Sequence, residues 1–297
     1  MKIHLLAAAF ALVLLQPGGC TITLNPDVTP NVVPTHVPFG GLPTYDAGGP
    51  SVTPPPGGVP NTAVPTPSGW NPVAHGIQWW QTSVRNSRQQ SIDVLVVKVN
   101  PANVRFRVLY QPGQARSIQD WHAALPDALL IVNANYYDSS NRALGLVISD
   151  SLTYGAPSPR NDDGMFQVTN GAARLRSLYV EPIGGGEQFE QAAQAYPLLM
   201  LQGQIAPINP DLSGTPARRT VLAQDSDGNI LFVLFPNAGV TLSELGGMLQ
   251  QLGLGITAAI NMDGGQSTCL FLAIPNTPNP YLPGFAPVPV VLAAYAR

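Results

Sequence analysis

A short acidic turn offers the clearest chemistry in this sequence. Asp263 is followed directly by Gly264 and Gly265, and Ser267 comes two residues later. Because glycine has no Cβ, a ligand can approach the backbone closely beside the carboxylate. The N–H groups of the two glycines, together with the Ser267 hydroxyl, could form a small anion-binding nest. An acid next to such a nest predicts a site for a negatively charged substrate.

Polar residues stand at the ends of three apolar, strand-like runs. Side chains two apart in a strand point to the same face, so Asn133 and Asn135 share a face at the end of one run. Asn261 and Asp263 do the same at the end of another, and Arg219 precedes a third. Each has an ordinary structural alternative. Asn and Asp begin turns through local hydrogen bonds, and a strand-end arginine can be solvated or can pair with an acid.

In chain order, these segments resemble the signature motifs of the phosphodiester glycosidase family. The motifs are Asn133-Ala134-Asn135-Tyr136-Tyr137-Asp138, Arg219-Thr220 and Asn261-Met262-Asp263-Gly264-Gly265-Gln266-Ser267-Thr268. The resemblance covers about residues 95–297 and implies a hydrolase that releases a sugar from a sugar-1-phosphodiester. One departure concerns Ala134 and Asn135, since family members often have Gly or Ser after the first Asn; this difference could alter the sugar pocket.

The resemblance implies a role for each of these residues. Asp263 would orient water at the anomeric carbon or stabilise the oxocarbenium-like centre. Arg219 and the N–H groups of the glycine turn would stabilise the departing phosphate. The remaining substrate-binding candidates are Asn133, Asn135, Thr220, Asn261, Gly264, Gly265 and Ser267. Ordinary glycosidases use two carboxylates, and Asp138 and Asp150 are candidates for the second by residue type only.

Two other functions would use the same residues. A non-catalytic module could bind cell-wall glycans on this scaffold, or a phosphodiesterase could cut the P–O bond instead of the C–O bond. The net charge is −3, and the only lysines are Lys2 and Lys98. Because nucleic-acid binding relies on clustered basic residues, we expect no nucleic-acid partner.

No metal or nucleophile motif competes with this interpretation. His75 and His122 stand outside any Gly-x-Ser-x-Gly or His-Glu-x-x-His context, which argues against a serine hydrolase or a zinc site. The segment Asp225–Asn229 resembles the start of a calcium loop but lacks the later Glu, so it predicts a hairpin turn. The sequence requires no cofactor, and a part for a divalent cation stays open.

The first 75 residues predict export. A lysine and a histidine precede the apolar run Leu5–Leu15, which is too short to span a bilayer. Small residues before Cys20 are typical of a bacterial lipoprotein signal, although Pro17 stands where that signal usually has an aliphatic residue. We predict a signal peptide at 1–20 with lipidated Cys20 and a Pro/Gly/Thr-rich linker at 21–75. The protein would be anchored in the cell envelope, facing away from the cytoplasm; plain secretion is the alternative.

The remainder, 76–297, predicts a single α+β catalytic domain with a mixed or antiparallel sheet, hairpins and a few packing helices. Asn170-Gly171 and Asp225–Asn229 predict hairpin turns. Helices are predicted to begin after Ser117 and Thr241, which can cap them, and a third over Glu187–Ala195. Strands are predicted at Ile77–Val84, Ile92–Val99, Phe106–Tyr110, Leu129–Asn135, Leu144–Ser149, Met165–Thr169, Ala172–Leu175, Thr220–Gln224, Asn229–Phe235, Ile256–Ile260, Cys269–Ala273 and Val288–Tyr295.

Overall fold

The computed structural model describes residues 69–158, 160, 162–209, 214–277 and 281–297. The predicted signal peptide, Cys20 and most of the predicted linker lie outside these residues. The first described strand, Asn71–Pro72, falls within the last part of that linker, and Val73 beside it is buried in the core. The described structure therefore extends slightly before residue 76, the predicted start of the catalytic domain.

The described strands, in chain order, are β1 (Asn71–Pro72), β2 (Ile77–Arg85), β3 (Ser91–Val99), β4 (Val104–Tyr110), β5 (Leu130–Asn133), β6 (Val147–Ser149), β7 (Leu152–Tyr154), β8 (Gly164–Thr169), β9 (Ala172–Ser177), β10 (Gln191–Ala195), β11 (Leu198–Leu201), β12 (Gln204–Ile205), β13 (Ala217–Asp225), β14 (Ile230–Val240), β15 (Ile256–Asn261), β16 (Leu270–Leu272), β17 (Tyr281–Leu282) and β18 (Val290–Ala296). Among the same residues the α-helices are α1 (Ile118–Ala124) and α2 (Leu242–Gln251), and a 3₁₀ turn spans Gly265–Ser267.

These strands form three sheets. Sheet 1 has eight strands in the order β1-β2-β3-β14-β13-β15-β11-β12. Sheet 2 has five, β17-β16-β5-β18-β4, and sheet 3 has five, β7-β6-β10-β8-β9. One hydrophobic core joins all three, because Phe232 of sheet 1, Phe106 of sheet 2 and Phe166 of sheet 3 belong to the same buried cluster. The Phe106 ring lies 5.4 Å from the Phe166 ring and 6.4 Å from the Phe232 ring, between centroids.

Each α-helix covers the outer face of a sheet. Helix α2 packs Leu245 and Leu249 against sheet 1, and Thr241 and Glu244 form the predicted capping box. Helix α1 packs against sheet 2, and the Ser117 side chain caps it as predicted. The starts of both helices could be predicted from sequence because capping depends on residues that are close together in the chain.

The α+β prediction is too helical, and the predicted helix over Glu187–Ala195 is wrong. Its second half forms β10, which pairs with β6 on one side and β8 on the other. Ala and Gln favour helix in isolation. Here Gln194 Oε1 accepts a hydrogen bond from the Leu146 N–H at 2.9 Å, and Gln191 Oε1 accepts one from the Val108 N–H at 2.9 Å. Tertiary pairing overrides local propensity, and the described domain is mostly antiparallel sheet.

The predicted hairpins are confirmed. Asn170 and Gly171 connect β8 to β9 with φ values of 50° and 71°, as a type I′ turn requires. Asp225 accepts the N–H groups of Asp227 and Asn229 at 3.0 and 2.8 Å, so its carboxylate is used within the turn between β13 and β14. Within the described ranges, no group of three or more His, Cys, Asp or Glu is arranged to hold a metal ion. The described helices include none of sufficient length and apolarity to cross a bilayer.

The topology brings three sequence motifs to one place. Strand β15 of sheet 1 ends at Asn261, where it pairs with Val221 of β13. The chain then crosses to β16 of sheet 2, which pairs with β5, the strand that ends at Asn133. The acidic turn is therefore the connection between two sheets, and the ends of β5, β13 and β15 surround it.

Candidate active site

The buried side chain of Asn133 connects its own motif to the other two by hydrogen bonds. Its side chain is 2% exposed, and its Nδ2 donates to the Asp263 carbonyl oxygen at 2.6 Å. Its Oδ1 accepts from the Thr220 hydroxyl at 3.0 Å and from the Cys269 N–H at 3.1 Å. The apolar side chains around Asn133 and Thr220 leave no space for a water molecule. Asn133 and Thr220 are therefore tightly packed and support the acidic turn, and their contact with substrate stays a prediction.

We expect Asn133→Ala to destabilise the fold strongly. The change leaves the Cys269 N–H without its buried acceptor and the Thr220 hydroxyl with the more distant Thr268 hydroxyl at 3.3 Å, which costs about 3 kcal/mol of unfolding free energy. Urea denaturation measures the loss. The control is Asn237→Ala, because Asn237 is exposed and, among the described residues, its side chain bonds the Asp93 carboxylate at the surface. Its cost should stay within about 0.5 kcal/mol, and equal losses for both variants would contradict the role given to Asn133.

Two other predicted asparagines are also buried. Asn135 donates to the carbonyl oxygens of Leu146 and Gln194, at 3.2 and 2.7 Å, and so connects the site to sheet 3. Asn261 is 0% exposed and donates to the Tyr136 hydroxyl. The Oδ1 atoms of Asn135 and Asn261 are buried and accept no hydrogen bond from the described residues. Both side chains position the site in this structure; direct sugar recognition by them is not shown.

Asp263 is the titratable group at the centre of the site. It is half-buried, and its Oδ1 accepts the Gly264 N–H at 2.8 Å. Its Oδ2 is buried and accepts no hydrogen bond from the described residues. Burial raises the pKa of Asp263 to about 6, and the Ser267 hydroxyl and Gly264 N–H oppose that shift by favouring the charged form. Asp263 therefore exchanges a proton close to neutral pH.

The glycine turn differs from the predicted nest in one respect. The Gly264 N–H is directed to the Asp263 carboxylate, so it is not free to bind a substrate anion as expected. Gly265 has φ of 60° and opens the 3₁₀ turn. The Gln266 carbonyl accepts the Phe285 N–H at 2.7 Å and thereby fixes the turn to the chain before β18. The Ser267 hydroxyl is buried, 3.3 Å from that of Tyr137.

Arg219 lies against the same turn. A Cβ on Gly264 would be 3.7 Å from Arg219 Cδ, so this side chain runs directly past the glycine. Its Nε donates to the Val240 carbonyl at 3.0 Å and its Nη2 to the Thr215 carbonyl at 2.7 Å. Among the described residues it forms no ion pair. Arg219 therefore does not pair with Asp263, which was the structural alternative. No carboxylate among the described residues neutralises the Arg219 charge, so it can act on a bound anion.

Tyr136 lies within electrostatic range of both Asp263 and Arg219. Burial raises the pKa of Tyr136, the Asp263 charge raises it further, and the Arg219 charge lowers it. The Tyr136 hydroxyl donates to the Tyr196 carbonyl at 3.0 Å, and the two rings lie 4.8 Å apart. The sequence gave no signal for Tyr196, which stands between β10 and β11 and comes to Tyr136 through the fold.

Among the described residues, neither of the two candidates for a second carboxylate bonds the acidic turn. Asp138 is paired with Arg142, whose backbone N–H is the main cause of its lowered pKa. Asp150 is paired with Arg107, which lowers the pKa of that carboxyl, and it lines a separate groove of about 570 Å³. Asp163 is fully buried, and burial raises its pKa to about 6. Its Oδ2 accepts from the Gln194 side chain at 2.6 Å, so it is enclosed in sheet 3.

Comparison with known proteins decides the family. The sequence profile of the phosphodiester glycosidase family (NAGPA) matches residues 127–295, which is more than half of the chain and includes all three motifs. This chain belongs to the phosphodiester glycosidase family. No curated protein gives a significant sequence match.

Solved structures agree with this phosphodiester glycosidase assignment at the level of the fold. The chain is similar to the catalytic domain of zebrafish N-acetylglucosamine-1-phosphodiester alpha-N-acetylglucosaminidase, auto-inhibited by its pro-peptide, with a TM-score of 0.56, 15% identity, and coverage of 74% of this chain and 83% of that one. It is also similar to a hypothetical protein from Synechocystis, with a TM-score of 0.53 and 19% identity over 75% of this chain. The match spans 62% of the Synechocystis chain.

Proposed function

We propose that this protein hydrolyses the bond between the anomeric carbon of a sugar and the phosphate of a sugar-1-phosphodiester. The observation that carries the proposal is the arrangement around Gly264. Asp263, next to this glycine, has a carboxyl oxygen that accepts no hydrogen bond from the described residues. Arg219, whose side chain passes the same glycine, has no carboxylate partner among those residues. Asp263 and Arg219 thus supply a base and an anion-stabilising cation at one turn.

The chemistry of the leaving group explains why one carboxylate is enough. The water oxygen forms a bond to the anomeric carbon while the bond from that carbon to the phosphate oxygen breaks, and its electron pair stays on the phosphate. The departing group, a phosphate monoester, is a weak base, so it needs charge stabilisation more than a proton. In this proposal Arg219 stabilises the departing phosphate, and Asp263 accepts the proton from water.

The pKa of Asp263 predicts the acidic limb of the pH profile. A base must be ionised, and burial raises the pKa of this carboxyl to about 6. We expect kcat/KM to be constant above that pH and to fall about tenfold for each pH unit below it. An acidic limb near pH 4, the ordinary range of an exposed carboxyl, would contradict Asp263 as the base. A pH series on one sugar-1-phosphodiester gives the answer.

Arg219→Lys should lower kcat/KM while leaving the fold intact. Lysine keeps the charge but loses the planar group that can hold a backbone carbonyl and a phosphate oxygen together. We expect a loss of roughly tenfold to a hundredfold, the equivalent of one charge-assisted hydrogen bond. Arg142→Lys is the matched control, since Arg142 is exposed and paired with Asp138. Equal kcat/KM for Arg219→Lys and wild type would exclude the phosphate contact.

A panel of sugar-1-phosphodiesters, assayed with and without a chelator, tests the proposed function directly. Hydrolysis in ¹⁸O-labelled water then identifies the bond that breaks. Label in the released sugar means attack at the anomeric carbon, whereas label in the phosphate means a phosphodiesterase. Binding without any product over long incubation would instead indicate a glycan-binding module.

We also propose that the protein is exported and anchored through a lipid on Cys20. The supporting features are the short apolar run before Cys20 and the Pro/Gly/Thr-rich segment after it. Such a segment would place the catalytic domain at a distance from the membrane. Mass spectrometry of the mature N-terminus tests the anchor. A mature chain that begins elsewhere, or a Cys20 without acyl groups, would favour plain secretion.

A further inference from the structure

Arg218 is a buried cation without a counter-charge among the residues that the structure describes. It is 4% exposed, and only its Nη2 is bonded, to the Pro283 carbonyl at 3.0 Å. Its Nε and Nη1 are buried and donate to no group among the described residues, and no carboxylate there pairs with it. Burying an unpaired charge opposes folding, so a side chain of this kind requires a reason.

The nearby thiol does not neutralise this charge. Cys269 lies within electrostatic range of Arg218, but burial raises the pKa of the Cys269 thiol to about 12, so it stays neutral at physiological pH. The remaining close neighbour is aromatic: the Phe285 ring lies 4.6 Å from the guanidinium carbon. A ring face attracts a cation but does not accept its hydrogen bonds as an oxyanion would.

The Phe285 side chain covers Arg218 but is itself largely exposed to solvent. This phenylalanine is 74% exposed, whereas its backbone N–H is fixed to the Gln266 carbonyl at 2.7 Å. Its ring can therefore turn away while the backbone stays in place. Movement of this one side chain would open the guanidinium to an incoming ligand beside the glycine turn.

Arg218 and Arg219 contact different segments of the chain. The pairing of β13 with β14 shifts register between Ala217 and Arg219, so strand alternation does not fix the side of Arg218. The contacts distinguish the two: Arg218 donates to the Pro283 carbonyl and lies against the Phe285 ring, whereas Arg219 donates to the carbonyls of Val240 and Thr215. Both residues adjoin Gly264, because a Cβ there would lie 2.8 Å from the Arg218 carbonyl oxygen and 3.7 Å from Arg219 Cδ.

We propose that Arg218 is a second oxyanion-binding residue, covered by Phe285, that takes a phosphate group on the aglycone side of the substrate. The two guanidinium groups bond different segments, Arg218 the Pro283 carbonyl and Arg219 the carbonyls of Val240 and Thr215, so we assign Arg218 a different anion from the one assigned to Arg219. This inference rests on the proposed function for the aglycone assignment. It implies a substrate with more than one phosphate, such as an oligomer linked through phosphodiesters.

Site-specific chemical labelling tests the covered site. Phenylglyoxal modifies accessible arginines, and peptide mass spectrometry follows each one separately. We expect slow labelling of Arg218 in the wild type, at least tenfold faster labelling in Phe285→Ala, and protection of Arg218 in that variant by inorganic phosphate at constant ionic strength. Arg142, which is 72% exposed, is the internal control and should label at one rate in both proteins. Labelling of Arg218 that phosphate does not slow would overturn the proposal.

An Arg218→Met variant separates this inference from the proposed function. Without phosphate, it should melt at or above the wild-type temperature, because an unpaired buried charge is removed. Phosphate should bind it roughly tenfold to a hundredfold more weakly at this site. The preference of kcat/KM for a substrate with a second aglycone phosphate over one without it should disappear.

An unchanged preference refutes the Arg218 site alone. No turnover of either substrate by the wild type, with phosphate protection intact, refutes the proposed reaction and the aglycone assignment but leaves the anion site.

Discussion

Asp263→Asn will abolish hydrolysis of a sugar-1-phosphodiester and leave the melting temperature at or slightly above that of the wild type. The amide keeps the Oδ1 acceptor for the Gly264 N–H, which is observed at 2.8 Å, so the turn has no reason to move. It cannot accept a proton from water. Loss of a positioned base lowers kcat by roughly a hundredfold to ten-thousandfold. Steady-state kinetics and calorimetry on the same preparation measure both quantities.

The stability part of this prediction follows from the sign of the pKa shift. Burial raises the folded-state pKa of Asp263 to about 6, above the unfolded value of about 3.9. The folded state therefore binds the proton more tightly, and wild-type stability is lost as the pH rises through about 6. The Asn variant has no such loss. Its melting temperature relative to wild type should rise between pH 4 and pH 7, and should not change further above that range.

A matched substitution controls for the chemical change itself. Asp138 is a carboxylate outside the glycine turn, paired with Arg142. Asp138→Asn should retain kcat because that carboxyl makes no contact with the acidic turn among the described residues. Near-normal turnover by Asp263→Asn would remove Asp263 from the mechanism, whatever its effect on stability.

The parts of the fold that could be predicted from sequence are those with local causes. The Ser117 and Thr241 caps, the Asn170-Gly171 turn and the Asp225–Asn229 turn all depend on residues within four positions of each other. Strand β10 could not be predicted in this way. Its Gln and Ala residues become strand because β6 and β8 pair with it and because Gln194 bonds a backbone N–H 48 positions away.

The same distinction applies to the site. The family resemblance assigned Asn133, Thr220 and Asp263 to one site, and in the structure Asn133 bonds both of the others. The sequence could not show that this asparagine is enclosed, since its burial depends on packing between sheets 1 and 2. Nor could the sequence assign different environments to Arg218 and Arg219, because they are adjacent in the chain. Only the fold shows that Arg218 has buried nitrogens without partners among the described residues and that Arg219 passes Gly264.

The two glycines of the turn should respond very differently to alanine. Gly264 has φ of −136°, which any residue can adopt, but a Cβ there would lie 2.8 Å from the Arg218 carbonyl oxygen. That oxygen belongs to β13 and cannot move alone. Gly265 has φ of 60° and open space around the position of a Cβ. Alanine at Gly264 therefore meets a clash, whereas alanine at Gly265 meets only backbone strain.

We expect Gly264→Ala to lose about 3 kcal/mol of stability, the cost of overpacking against fixed backbone. We also expect most of its activity to disappear, because relief of the clash must move Asp263 away from Arg219. Gly265→Ala should lose about 1–2 kcal/mol, the cost of a left-handed residue, and keep most of its kcat. Urea denaturation and initial rates distinguish the two. If both variants lose activity equally, flexibility of the turn matters more than its close approach to β13. If neither does, the spacing of acid and guanidinium across Gly264 is not what sets the rate.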